Sequence, residues 1–255
     1  MDMSIIAGAR LRTKVNLLLT TNSISSTWEM NSALFKHDVD YQYVDNTNGN
    51  ILYSGSAADL GFAVDLSIGN GNTSLFILDR ASGYDINELD IRALQINTIN
   101  INFLPSLLRA DFSANGISVL DVKQNTALTD LIFSGNNVEE IDVTQNTALT
   151  NLTFRNNNIS ELDVTQNTAL EVLTFNSNTI SVLDASQNTA LTSLLCRDNT
   201  LTSLNIKNGN NRNIITIEID ENPDLECVLV DDVAYANTNF TSKDAQTYYS
   251  ETTCP

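Results

Sequence analysis

The chain has 255 residues, 42% of them apolar, which is enough for one large domain or two modest ones with a real core. Its net charge of −18, from 31 acids against 13 bases, excludes a general nucleic-acid binder, because phosphate binding needs a net basic footprint; an anionic membrane surface is disfavoured on the same ground. No stretch approaches the roughly 20 apolar residues of a membrane span, and the three cysteines have neither the density of a disulfide scaffold nor a zinc spacing.

The first 83 residues share no period with the rest. Arg10, Arg12 and Lys14 are followed by a stretch, Val15 to Asn22, too short and too polar for the apolar part of a secretory signal, so none is expected. Residues 1 to 30 are polar enough to suggest an arm that orders only against a partner. Asp40-Tyr41-Gln42-Tyr43-Val44 and Ile51-Leu52-Tyr53 alternate and flank a turn-rich Asn/Gly stretch, which reads as a hairpin. Gly61 to Ile68 and Leu75 to Leu78, around Gly69-Asn70-Gly71-Asn72, read as a second hairpin. Residues 1–83 are therefore expected to form a small β domain with an anchoring or assembly role. It is barely large enough for its own core and should pack on the remainder of the chain. The single histidine, His37, is read as a surface or structural residue, since no nucleophile is paired with it.

From residue 86 a period of 21 takes over. Leu107, Leu128, Leu149, Leu170 and Leu191 fall in one column, and Asn115, Asn136, Asn157, Asn178 and Asn199 in another. Between them run Ala110, Leu131, Leu152, Leu173 and Leu194, then Phe112, Phe133, Phe154, Phe175 and Cys196. After the Asn come Ile117, Val138, Ile159, Ile180 and Leu201, then Leu120, Ile141, Leu162, Leu183 and Leu204. A degenerate copy with Ile86, Leu89, Ile91, Ile96 and Ile99 in the apolar slots, and Leu94 in the Asn slot, precedes them.

The first eleven positions match L-x-x-L-x-L-x-x-N-x-L, the leucine-rich repeat, with Phe in the third apolar slot. The fold class expected is mainly β: a leucine-rich-repeat solenoid of 21-residue coils over residues 84–213, preceded by the small β domain and closed by a C-terminal cap over residues 214–255. Alternation along a short strand puts Leu131 and Phe133 inside and Asp130, Ile132 and Ser134 on the concave sheet. The Asn column should satisfy backbone groups of its own and neighbouring coils. Twenty-one residues leave little room for a convex helix, so extended or 3₁₀ segments are expected there, with Ile141 and Val143 inward. Asp121, Asp142, Asp163 and Asp184 line up outward and read as solvated carboxylates capping turns.

Outward columns on the concave sheet are free of core duty and can encode a partner. They bring together Arg92, Arg109, Asp111, Asp130, Ile132, Thr153, Arg155, Thr174, Asn176, Leu195 and Arg197, the expected ligand-binding residues. Four of the eight arginines fall on this sheet, and arginine is a common interface anchor. The alternative is that they only neutralise Asp90, Asp111 and Asp130.

The phrase L-D-V-T-Q-N-T-A and the tail from Asn222 to Tyr235 with Cys254 resemble the leucine-rich repeats and cap of Bacteroidetes-type surface proteins. That resemblance, covering residues 86–255, implies a disulfide between Cys227 and Cys254. Cys196, in the inward Phe column, is expected to be a buried free thiol. Asp220, Asn222 and Asp224 mimic the start of a calcium loop, but Leu225 stands where that loop needs Gly, and no metal site or cofactor is expected.

The functional expectation is a noncatalytic recognition protein. Its most concrete form is a vertex, spike or capsid-associated protein on the virion surface of a phage, binding a protein or glycan receptor on a bacterial host. Residues 1–83 would meet other virion subunits, and the protein would be a homo-oligomer within that assembly. Surface proteins of the resembled group usually begin with a secretion signal, and none is read here. An extracellular bacterial cell-surface adhesin is the second reading. A glycan-active enzyme is the third, resting on carboxylates that nothing pairs.

Overall fold

The computed structural model describes residues 14–21, 29–30, 40–45, 51–56, 64–65, 74–79, 88–90, 92, 96–102 and 104–254. His37, Ile86, Ile91, Leu94 and the Gly69–Asn72 turn lie outside them.

In the N-terminal part the strands are β1 (Lys14–Thr21), β2 (Glu29–Met30), β3 (Asp40–Asp45), β4 (Ile51–Ser56), β5 (Val64–Asp65) and β6 (Ser74–Asp79). An antiparallel sheet runs β4-β3-β6-β1 and ends on β8 (Ile96–Asn100), which belongs by sequence to the degenerate first repeat. The β3–β4 hairpin is present, with Tyr43 opposite Tyr53. Among the described residues the second expected hairpin is not paired. β6 lies between β3 and β1, while Val64 and Asp65 pair with β2. Leu75-Phe76-Ile77-Leu78 is a continuous apolar run, a pattern that speaks to the two faces of a strand and not to its edges, and local turn residues do not decide its partners. Nor are residues 1–30 wholly an arm: β1 sits inside the sheet, paired with β6 on one edge and β8 on the other. Averaging polarity over thirty residues hid the apolar Val15 and Leu17–Leu19 within it.

The solenoid's concave sheet is parallel. Its strands are β7 (Glu88–Asp90), β9 (Arg109–Asp111), β10 (Asp130–Ile132), β11 (Asn151–Thr153), β12 (Val172–Thr174), β14 (Ser193–Leu195) and β16 (Thr216–Glu218). The register steps by one repeat, Arg109 to Asp130 to Asn151 to Val172 to Ser193. The other side of the coils is extended, pairing as strands in β13 (Val182–Asp184), β15 (Ser203–Asn205), β17 (Cys227–Leu229) and β18 (Tyr248–Ser250). Among residues 104–232 the only helical piece is a 3₁₀ turn at Asn211–Asn213, as a 21-residue coil requires.

Every Leu of the first column, the four Phe and Cys196 are fully buried. Phe133, Phe154 and Phe175 stack face to face with centroids 5.3 and 5.8 Å apart. Two asparagine ladders stitch the coils. Asn136 Nδ2 donates to the carbonyls of Phe133 in its own coil and Phe112 in the previous one, while its Oδ1 accepts from Ile117 N. Asn157, Asn178, Asn199 and Asn222 repeat the pattern. The second ladder is Asn125, Asn146, Asn167 and Asn188 of the Q-N-T-A turn, fully buried, each donating two bonds to carbonyls of the preceding coil. Between strand and first ladder, Ala114, Gly135, Asn156, Ser177, Asp198 and Glu221 all take φ between 52° and 68°.

Coil geometry continues past residue 213, the expected end of the solenoid. Ser193 pairs with Thr216, Leu204 with Val228, and Asn222 completes the first ladder. Closure comes after Val230. Helix α1 (Val233–Asn239) starts on Asp232, whose carboxylate accepts from Tyr235 N at 2.8 Å, and β18 then pairs with β17. Cys227 and Cys254 form a disulfide across this cap, and Cys196 is free and buried.

Candidate functional site

The three outward columns of the concave sheet are positioned by strands only three residues long, whose middle residue is buried and whose flanking residues face out. Inward columns repeat the same side chains from coil to coil, whereas the outward ones change: Arg109, Asp130, Asn151, Val172, Ser193 in the first and Asp111, Ile132, Thr153, Thr174, Leu195 in the second.

At the N-terminal end the face is a charge lattice. Arg92 grips Asp90 through two bonds of 2.8 and 2.7 Å and lies 3.6 Å from Asp111, contacts that raise its pKa, the Asp90 hydrogen bonds most. Asp111 is nearly covered, its Oδ1 accepting from the Ser113 hydroxyl and backbone N. Arg109 reaches Asp130 at 3.4 Å, and Asp130 also accepts from the Thr129 hydroxyl at 3.0 Å.

At the other end Arg197 pairs with Glu221 and, at 3.4 Å, with Asp220, which raises its pKa. Asp220 in turn accepts from Ser242, and Asn222 is the last ladder rung, so the calcium-like run is engaged in holding the cap. Among the described residues no group of three His, Cys, Asp or Glu is placed to hold a metal.

Between these ends the face is uncharged apart from Arg155. Thr153 donates to Asn151 Oδ1 at 2.9 Å, and Ser134 Oγ accepts from the backbone N of Arg155 at 3.0 Å. Asn176, next in the arginine's column, touches Glu218 at 3.5 Å. Ile132, Val172 and Leu195 are half-buried. Thr174, expected on the surface, is buried at 2% exposure between Thr153 and Leu195 in register. The sheet therefore gathers the expected residues on one face but splits them: Arg92, Arg109, Asp111, Asp130 and Arg197 are largely engaged with one another or with the cap, and Ile132, Thr153, Arg155, Asn176 and Leu195 remain at the centre.

The opposite side carries a shallow groove of about 630 Å³ lined by Glu139, Glu140, Asp142 and Glu161, with Lys123 paired to Asp142 at 3.1 Å. The aspartate column there caps turns: Asp142 and Asp163 each accept from a Thr hydroxyl at 2.7 Å and from the same residue's backbone N. No helix among the described residues is long and apolar enough to cross a membrane.

By sequence, no family model and no curated protein matches the chain. By structure it is similar to the functional domain of InlJ from Listeria monocytogenes, which includes a cysteine ladder, at 25% identity and a TM-score of 0.51 over 64% of this chain and 38% of that one. It is also similar to an internalin, inlF, from Listeria monocytogenes, at 21% identity and a TM-score of 0.46 over 67% of this chain and 48% of that one. A leucine-rich-repeat protein of Leptospira interrogans matches at 17% identity and a TM-score of 0.42, over 67% of this chain and 57% of that one. The chain thus spans little more than a third of the InlJ chain it matches. Parallel coils stepping by 21 residues, their Leu and Phe columns, the asparagine ladder and the InlJ likeness agree: this is a leucine-rich-repeat protein.

Proposed function

We propose that the protein is a noncatalytic recognition protein whose concave sheet receives a protein or glycan on a cell surface. The observation that carries this is the division between columns: the inward ones are fixed by packing, while the outward ones at the centre of the sheet, the buried Thr174 apart, vary from coil to coil and face outward. The Cys227–Cys254 bridge supports an oxidising, extracellular setting.

Within that setting our reading is a virion surface, with the solenoid projecting and the N-terminal sheet meeting other subunits. The pairing of β1 with β8 is compatible with it, because it joins the N-terminal sheet by main-chain hydrogen bonds to the strand that precedes the regular coils. A cell-surface adhesin is the second reading, supported by the InlJ likeness.

Two measurements test this. Immunogold labelling of purified phage and of uninfected cells separates the settings: label on particles supports the virion, label on cells without phage supports the adhesin and overturns the virion, and label on neither overturns both. Binding of the purified protein to intact cells, read by flow cytometry, should fall by about tenfold or more in an Asn151→Arg/Thr153→Arg variant and be unchanged in Glu140→Lys. The reverse pattern would move the site to the convex side.

A further inference from the structure

We infer that the centre of the concave face is a carboxylate-binding position built around Arg155, and that the occupant is a protein segment presenting a single Asp or Glu. This rests on the concave-face reading above and adds the chemistry of the partner.

The concave arginines are not equivalent. Arg92, Arg109 and Arg197 each have an acidic partner within the chain, at distances down to 2.7 Å. Arg155, exposed on the same sheet, makes no ion pair among the described residues. Its column neighbours are Ser134 and Asn176, the outward positions of its own coil and the next are Asn151, Thr153, Val172 and Thr174, and Asp130 of the preceding coil is paired with Arg109, so no carboxylate of the face is paired with it. A paired arginine must give up one carboxylate to take another, an exchange with little net gain at an exposed site. Arg155 gives up only water. A charge-assisted bond from its planar fork is the strongest polar contact the face can offer.

The acids at the two ends set the register. Glu88, Asp90, Asp111 and Asp130 lie on one side of the central coils and Glu218, Asp220 and Glu221 on the other. With strands about 4.8 Å apart and a screening length of about 8 Å at physiological salt, a second carboxylate on the partner, two or more coils away, meets repulsion. One acidic residue at the centre is what the field admits.

A polypeptide fits better than a sugar. The outward columns of the face contain no aromatic ring, so the flat platform on which a pyranose would stack is missing. The half-buried Ile132, Val172 and Leu195 around the arginine offer aliphatic contacts suited to side chains.

The test is selection of binders from a yeast-displayed random peptide library on the full chain, followed by affinity measurement against variants. The expected result is a consensus with one Asp or Glu, an affinity loss of about tenfold or more in Arg155→Gln, and a reversed preference for Lys or Arg in Arg155→Glu. Arg92→Gln and Arg109→Gln should change affinity by less than about threefold. Thermal denaturation of Arg155→Gln should match the parent chain, since no ion pair is lost. Binders abolished by Asn151→Arg/Thr153→Arg but lacking an acid, or indifferent to Arg155→Gln, would overturn the carboxylate position and leave the concave face standing. Binders insensitive to both variants would overturn the concave face itself. Uronate-containing glycans bound through Arg155 on an array, with no peptide selected, would overturn the protein source.

Discussion

Asp142 shows how this chain carries its negative charge. Its Oδ1 accepts from the Thr144 hydroxyl at 2.7 Å and the Thr144 backbone N at 3.0 Å, and Lys123 approaches Oδ2 at 3.1 Å. All three favour the ionised form, the hydroxyl most, and hold the carboxyl at about 2. Because the folded value lies below the ordinary aspartate value of about 3.9, the stabilisation is complete above about pH 4 and is lost as pH falls through about 2. Carbon-detected NMR should show Asp142 titrating near the lower figure, Thr144→Val returning it toward the ordinary value, and Lys123→Met moving it less. An unmoved titration in Thr144→Val would show that the hydroxyl is not the main cause. Residues of one type also diverge at this scale. Arg197 looks like Arg155 in sequence, yet it clasps Asp220 and Glu221 at the cap, so reversing its charge would set acids against acids there, whereas Arg155 can be reversed without disturbing a partner.

Between coils, the ladders convert composition into stability. Removing the Asn157 side chain would leave the buried Val138 N without its acceptor, while the carbonyls of Phe133 and Phe154 would each lose one of two donors and keep Asn136 and Asn178. At about 1–3 kcal/mol for an unsatisfied buried group, Asn157→Ala should cost about 1–3 kcal/mol in chemical denaturation, and Asn158→Ala, at an exposed position, less than about 0.5 kcal/mol. Equal costs would mean that the ladder is not what ties the coils. This ladder was legible in the sequence because the same residue recurs at the same place. The second one, at Asn125, Asn146, Asn167 and Asn188, is just as regular, but lying inside a turn phrase it reads as turn chemistry, and invariance in every copy was the signal that marked it as buried. The left-handed column was not legible: Ala114, Gly135, Asn156, Ser177, Asp198 and Glu221 share a backbone conformation that only Gly adopts freely, so side-chain identity conceals it. The pairing of Lys14–Thr21 with Ser74–Asp79 and Ile96–Asn100 joins segments far apart in sequence with no turn between them to announce it. At the concave face the sequence supplied the columns, but which arginine is left without an acid depends on side-chain reach across coils.

Over the whole molecule, a solenoid passes stability only between neighbouring coils, so its ends decide where it frays. The C-terminal end is held by the Cys227–Cys254 bridge, by Tyr249 donating its hydroxyl to Phe240 O at 2.6 Å, by Thr247 donating to Leu225 O at 2.6 Å, and by Asp244, which accepts from the backbone N of Glu221 and Asn222. The bridge closes a loop with a sequence separation of 27, for which chain entropy gives about 3–4 kcal/mol. In a globular domain that loss would be shared by every residue; here it should stay local. In the Cys227→Ser/Cys254→Ser variant, hydrogen exchange should quicken most over residues 225–250, less over the coil at Ser193–Leu195, and not detectably at Leu131 and Leu152. Binding at the central coils, three concave strands from β16 at β11, should then survive reduction of the bridge. A uniform quickening from Leu107 onward would instead show that the coils unfold as one unit, and that the cap governs the recognition face as well as the end it covers.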